Sequence, residues 1–418
     1  IIGLAKSEIP VDSGNWWDKD NGIYYHYSDW AKKGDDFYKL GQYNEALQCY
    51  DKAMERASSA TAAYLENKIG NVYYKIGRYN EALESYKAAS EYYIKSVGRN
   101  STDIQNDEGI ALLALGRNEE ALTIFSNTIE EDSQNTNAWH GKSLALYKLG
   151  RIQESLQCYN VSLQLNLSDA SIWNDKGDVV FDLGSYQEAL KSFEKAIQLS
   201  PIYADAWYGK ANALVRLKRH EEALTSFDKC LEIDPSNIAA WNNKGATLVE
   251  MGRYGEALTC YDESIKKAPN YATPLANKAE ALLFTGKYIE AMNYSNKSLE
   301  IDSDSAFAWA INGKALAALG RYDTALISFN KSLEIDSSKA DTWIAKGNAL
   351  QKLGKNEDAL QSYKEATEID PSNIEAIMDI GVIQNILRQN EEALKSFDKV
   401  IALNSSNILA WRGKADAQ

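Results

Sequence analysis

The chain has 418 residues, 44% of them hydrophobic and 25% charged, enough for two or three ordinary domains with buried cores and too apolar for a disordered linker. A net charge of −14 repels phosphate backbones and anionic lipid, and no apolar run approaches a membrane span, so neither nucleic acid nor a bilayer is an expected partner. Cys49, Cys158, Cys230 and Cys260 show no CxxC spacing, which argues against a zinc site and a disulfide framework and for small buried residues.

The chain opens on IIGLAKSEIP, a short apolar stretch without an initiator Met, as a trimmed export signal would leave. Residues 1–26 form an aromatic-rich extension in which Trp16, Trp17, Tyr24 and Tyr25 precede Tyr27 and Trp30. Such a cluster either caps the first structural unit, the preferred reading, or presents a platform to a sugar or a partner. The segment Asp18 to Gly22, DKDNG, has its glycine one residue early for an EF-hand loop, and a polar turn is expected instead.

From residue 27 onward the sequence repeats. Trp139, Trp173, Trp207, Trp241, Trp309, Trp343 and Trp411 are separated by 34 residues or multiples of 34. With this Trp as the fourth position, units begin at Tyr27, Ala63, Thr102, Thr136, Ala170, Ala204, Ile238, Ala272, Ala306, Ala340, Ile374 and Ile408, about eleven full repeats plus a terminal half repeat over 27–418. The eighth position is glycine in most units, for example Gly34, Gly109 and Gly381, and the twentieth is alanine in all but one, Ser155, so two helices can approach closely there. The fifteenth is glycine in nine units, from Gly41 to Gly354, as a left-handed cap ending a first helix requires, with Lys218 and Arg388 as departures. An aromatic fills the twenty-fourth position, and Pro201, Pro235, Pro269 and Pro371 stop the second helix. Each helix pair is too small to bury its own apolar face, so stacking must supply the core.

These columns resemble the tetratricopeptide repeat family over almost everything from Tyr27 on. The resemblance implies an all-α, right-handed superhelical solenoid of 34-residue helix-turn-helix repeats, with first helices lining a concave groove. It also implies a non-enzymatic scaffold that binds peptides or partner proteins in that groove. The family lines its groove with the second, fifth, sixth, ninth, twelfth and thirteenth positions, and here these are rich in asparagine: Asn67, Asn71, Asn106, Asn174, Asn212, Asn242, Asn243, Asn277, Asn348 and Asn385. A row of amides can hydrogen-bond an extended peptide backbone, although Asn at the sixth and ninth positions is also common in the family. Lys32, Lys39, Lys68 and Lys75 line the first two units, Asp103 and Asp107 follow, and Asp175, Asp178, Asp182 and Asp205 make an acidic patch suited to a basic segment, or a merely solvated one. No unit has the Lys at the fifth position that the family's two-carboxylate clamp would need.

Chemistry is not expected. Outside the repeats only residues 1–26 remain, too few for a catalytic domain. His26, His140 and His220 have no metal-ligand spacing, and HGKS at His140 to Ser143 lacks the glycine and the strand of a phosphate loop, so no metal or cofactor is implied.

A second function class rests on the back and the ends. Asn160, Asn296 and Asn330 stand at the twenty-fifth position, each with Ser at the twenty-seventh, and Asn100, Asn166, Asn293 and Asn404 also begin N-x-S/T triplets. As N-glycosylation acceptors they would mean export to the cell surface, though chance or unit duplication gives the same pairing, and a cytoplasmic location stands beside it. Trp411 lies in a half repeat lacking its second helix, and docking of a neighbour's aromatic segment, with Trp16, Trp17 and Trp30, would build a homo-oligomer or a head-to-tail filament.

Overall fold

The computed structural model describes residues 15–18, 23–55 and 57–418, with side chains from residue 28 onward. Two short strands come first: β1 (Asn15–Asp18) runs antiparallel to β2 (Ile23–His26), with Trp16 opposite Tyr25 and Trp17 opposite Tyr24. This pair was not expected from the sequence. The apolar opening stretch and Lys19 to Gly22, most of the expected polar turn, lie outside the described residues.

Helices follow in hairpins. They are α1 (Tyr27–Lys39), α2 (Tyr43–Met54), α3 (Ser59–Lys75), α4 (Tyr79–Val97), α5 (Thr102–Ala114), α6 (Asn118–Glu131), α7 (Thr136–Lys148), α8 (Ile152–Leu165), α9 (Ala170–Asp182), α10 (Tyr186–Leu199), α11 (Ala204–Arg216) and α12 (His220–Ile233). The series continues with α13 (Ile238–Glu250), α14 (Tyr254–Lys267), α15 (Ala272–Phe284), α16 (Tyr288–Ile301), α17 (Ala306–Ala318), α18 (Tyr322–Ile335), α19 (Ala340–Lys352), α20 (Asn356–Ile369), α21 (Ile374–Ile386), α22 (Asn390–Leu403) and α23 (Ile408–Ala417). The chain is therefore an all-α repeat solenoid preceded by one strand pair, and it divides into two compact units, residues 1–209 and 210–418.

The core of each hairpin follows from two columns. The aromatic of the second helix lies against the glycine of the first: a Cβ on Gly109 would stand 2.5 Å from Phe125, one on Gly313 2.5 Å from Phe329, and one on Gly347 2.5 Å from Tyr363. The same ring also reaches the next repeat, where a Cβ on Gly141 would stand 2.3 Å from Phe125 and one on Gly209 2.3 Å from Phe193. One ring thus joins two hairpins, which is the stacking that a single hairpin cannot do without. The alanine column beside it, Ala46 through Ala393, is fully buried. Its exception has a reason: the Ser155 hydroxyl donates to the Ser143 carbonyl at 2.8 Å, so the extra polar atom is satisfied inside the core.

First helices end as the glycines predict. Gly41 to Gly354 have φ between +73° and +79°, and the next amide donates to the carbonyl five residues back, as Gln42 does to Phe37 at 2.9 Å. Lys218 and Arg388 adopt the same conformation at φ +59° and +57°, which a side chain makes costly. Arg388→Gly is expected to stabilise the fold by up to about 1 kcal/mol, read as a raised thermal midpoint. Lys218→Gly should gain less, because it also removes the exposed ion pair to Glu250.

The tryptophan column is a latch. Each indole Nε1 donates to the backbone carbonyl six residues earlier, in the linker from the preceding hairpin: Trp139 to Ser133 at 3.0 Å, Trp173 to Leu167 at 3.1 Å, Trp241 to Pro235 at 3.1 Å, Trp411 to Ser405 at 3.1 Å. Three residues on, a lysine covers the ring, as Lys346 does at 4.8 Å from the Trp343 centroid. Its ammonium reaches back to the twenty-fifth position of the previous repeat. Lys244 meets Asp228 at 2.5 Å, Lys414 meets Asp398 at 2.5 Å and Lys176 meets Asn160 at 3.0 Å, and Lys278 meets Asp262 in the same way in a unit with Leu275 in place of the tryptophan.

Candidate binding surface

In residues 210–418 the expected amide ladder exists, but its members bond one another. Asn277 Nδ2 donates to Asn242 Oδ1 at 2.9 Å, Asn242 Nδ2 to Asn243 Oδ1 at 3.2 Å, and Asn243 Nδ2 to Asn212 Oδ1 at 3.0 Å. Asn242 is only 7% exposed. The chain of amides therefore ties three first helices together, and Asn242 is not presented to a ligand.

Other asparagines are also taken up by the fold. Asn71 and Asn348 accept from the hydroxyls of Tyr86 and Tyr363 at 2.8 and 2.7 Å, tethering the buried second-helix ring, and Asp35 does the same for Tyr50 at 2.8 Å. Asn106 is buried and donates to Asn135, the residue capping α7, at 3.1 Å. Asn67 donates to Asp107 at 2.7 Å and Asn385 to the Gly413 carbonyl at 3.1 Å. The buried Asn106, Asn174 and Asn242 are corrections to a groove-lining role: these three side chains turn into the packing between neighbouring first helices.

In residues 1–209 the first-helix face is different. A hollow of about 380 Å³ opens among Tyr74, Ile110, Leu113, His140, Leu144 and Lys148, all from α3, α5 and α7. Ile110 keeps 38% of its surface exposed there. His140 forms one wall, and its Nε2 lies 2.8 Å from Asp175 Oδ2 on α9. Beyond Asp175 stand Asp178, Asp182 and Asp205, with Tyr147 donating to Asp182 and Asn174 Nδ2 lying 3.3 Å from both Asp175 and Asp178.

The Asp178 carboxyl is pushed up to about 7, by the mass of protein around it first and then by Asp175, Asp182 and Asp205. Its own side chain remains exposed to water, so the like charges weigh more here than dehydration does. A carboxyl raised in the folded chain holds its proton more tightly there than when unfolded. It therefore adds stability below the usual carboxylate range, and that contribution is lost as pH rises through about 7. Asp178→Asn should raise the urea midpoint relative to the parent at pH 8 and lose that advantage near pH 5, and carboxyl NMR titration of the parent should place Asp178 near 7.

A second hollow, of about 400 Å³, lies among Leu326 and Asn330 of α18, Trp343, Lys346 and Leu350 of α19, and Glu365 of α20. Burial pushes the Lys346 ammonium down, against the pull of Asp358 and Glu365.

The Asn–Ser pairs receive an account that needs no glycan. Buried Ser162, Ser298 and Ser332 donate to the first carbonyl of the preceding first helix, those of Thr136, Ala272 and Ala306, at 3.1, 2.9 and 2.8 Å, and Ser264 does the same in a unit with Asp262 in place of Asn. Asn166 and Asn404 accept from the amide and hydroxyl of the serine two residues on, the same turn that Asp234, Asp336 and Asp370 make with Ser236, Ser338 and Ser372. Asn160, Asn296 and Asn330 are exposed on second helices. Asn296 accepts from Asn312 at 2.7 Å, Asn293 precedes the buried Ser295, and Asn100 donates to Glu131 at 2.6 Å.

Of the proposed assembly residues, Trp30 is corrected. It is 5% exposed and packs in the first hairpin's core beneath Lys52, so it offers no surface to a neighbour. Trp411 is 52% exposed, while the side chains of Trp16 and Trp17 lie outside the described residues.

No helix among the described residues is long and apolar enough to cross a membrane, and no cluster of His, Cys, Asp and Glu among them could hold a metal ion. The chain matches tetratricopeptide repeat sequences over residues 29–95, 60–130, 106–170, 174–238, 236–304, 308–339 and 340–373. No curated protein matches it. Among solved structures it is similar to the APC/C hetero-tetramer Cut9-Hcn1, at 12% identity and a TM-score of 0.53, with 94% of this chain and 96% of that one covered. It is also similar to yeast Tom70, at 14% identity and a TM-score of 0.45 with 96% of each chain covered. A tetratricopeptide repeat protein from Parabacteroides merdae matches at 18% identity and a TM-score of 0.48, with 59% of this chain and 98% of that one covered.

Proposed function

The chain belongs to the tetratricopeptide repeat family, and from that premise we propose that it is a non-enzymatic protein-interaction scaffold whose first helices hold a segment of a partner protein. The observation that carries this reading is the hollow among Tyr74, Ile110, Leu113 and Leu144. In residues 210–418 several first-helix side chains are used up by the fold, as the amide chain from Asn277 to Asn212 illustrates. In the hollow an apolar side chain, Ile110, is left 38% exposed beside a few polar groups, the composition of a site that takes a side chain from outside.

Short random peptides displayed and selected against the whole chain test this. Selected binders are expected to lose affinity by about tenfold or more on Ile110→Glu, which puts a charge into the hollow without disturbing a buried residue. Binders indifferent to Ile110→Glu, and lost instead on changes at Leu326 or Lys346 in the other hollow, would overturn the reading.

A further inference from the structure

We propose that the segment held by residues 1–209 is basic: an extended stretch of a partner protein that sets one apolar side chain in the hollow and, about three residues further along, lysine or arginine against Asp178, Asp182 and Asp205. This rests on the scaffold reading above and names its occupant.

The spacing comes from the architecture. Neighbouring packed helices lie roughly 8–10 Å apart, and an extended chain advances roughly 3.3 Å per residue, so a peptide crossing from the α7 wall of the hollow to Asp178 and Asp182 on α9 needs about three residues. His140 ties the two places together, lining the hollow while its Nε2 bonds Asp175.

The charge of the occupant comes from what the row lacks. Arg78, Arg117, Arg151 and Arg253 each hold a glutamate three residues along their own helix start. Among the described residues no lysine or arginine forms an ion pair with Asp178, Asp182 or Asp205, and their polar contacts are only those with Asn174 and Tyr147. The mass of protein around it first, and then repulsion from Asp175, Asp182 and Asp205, push the Asp178 carboxyl up to about 7, and a bound cation relieves the second of these. At the base of the row the buried Asn174 donates to both Asp175 and Asp178 and so holds two of its carboxylates in place. Lys148 in the wall of the hollow repels a cation there, so the apolar residue takes the hollow and the cations take the row.

The test uses the whole chain and labelled probe peptides read by fluorescence anisotropy. One probe carries a leucine followed three residues later by two arginines, a second has glutamate for both arginines, and a third has serine for the leucine. The basic probe is expected to bind at least about tenfold more tightly than the acidic one, to weaken with added salt, and to lose affinity when leucine becomes serine. With Asp178→Asn and Asp182→Asn combined, exposed changes whose fold is checked by circular dichroism, the basic preference should fall to within about twofold. Equal binding of the acidic probe, or a basic preference that survives the double change, overturns the proposal. If library binders are lost on Ile110→Glu yet show no enrichment in lysine or arginine, the scaffold reading stands and this inference falls. If no binder of any charge responds to Ile110→Glu, both fall.

Discussion

Phe125→Ala is expected to destabilise the chain by about 3–5 kcal/mol, the range for removing a fully buried aromatic ring. Phe125 lies between Gly109 of its own hairpin and Gly141 of the next, so its loss opens a cavity at the junction of two repeats. In a stack where each hairpin leans on its neighbours, the damage is local: amide protection should fall across α5, α6 and α7 before it falls elsewhere, because repeat arrays need not unfold in one step. The reverse change tests the same contact. Gly141→Ala places a methyl group 2.3 Å from the ring and should cost about 1–3 kcal/mol. Combined with Phe125→Leu, which removes the obstructing ring edge, the cost should be less than the sum of the two single changes. Urea unfolding supplies the numbers, and a loss below about 1 kcal/mol for Phe125→Ala would show that the ring is not the joint between hairpins.

Asn242→Ala should cost about 1–3 kcal/mol, because the buried Asn242 both accepts from Asn277 and donates to Asn243, and its removal breaks two hydrogen bonds of the amide chain. Asn277→Ala, at the end of the amide chain, breaks one bond and should cost less. Because the amides polarise one another along the chain, the double change should cost less than the sum, and full additivity would sink the idea of a coupled network. The contrast with ligand binding is direct: an Asn242 that served only a peptide would leave the urea midpoint unchanged.

Much of the fold was legible because the chain repeats the same experiment in every unit. The eighth-position glycines do mark a close approach of two helices, but what they meet is the aromatic column and not the alanine column they were paired with in the sequence, while the fifteenth-position glycines cap first helices with positive φ as expected. The surface was less legible. A column shows which side chains share a face, and says nothing about what they reach in the next repeat. Asn277 and Asn242 are 35 residues apart and Asn243 and Asn212 are 31 apart, so their bonds appear only in three dimensions. Two signals were present and unused. Asn21 and Gly22 between aromatic runs are the usual mark of a strand hairpin, and β1 and β2 flank them. The D-x-S triplets at Asp234, Asp336 and Asp370 occupy the column of the N-x-S triplets at Asn166 and Asn404, which identifies a turn.

The tryptophan latch has a consequence for how such a chain can grow. Its acceptor is a backbone carbonyl, so the residue supplying it is free to vary, and Ser133, Leu167, Pro201, Pro235, Ser303, Ser337 and Ser405 all serve. The indole comes from the block that follows the linker. A block copied in frame therefore carries half of a joint that any preceding linker of the same length can complete, and array length can change by whole blocks without any joint being redesigned.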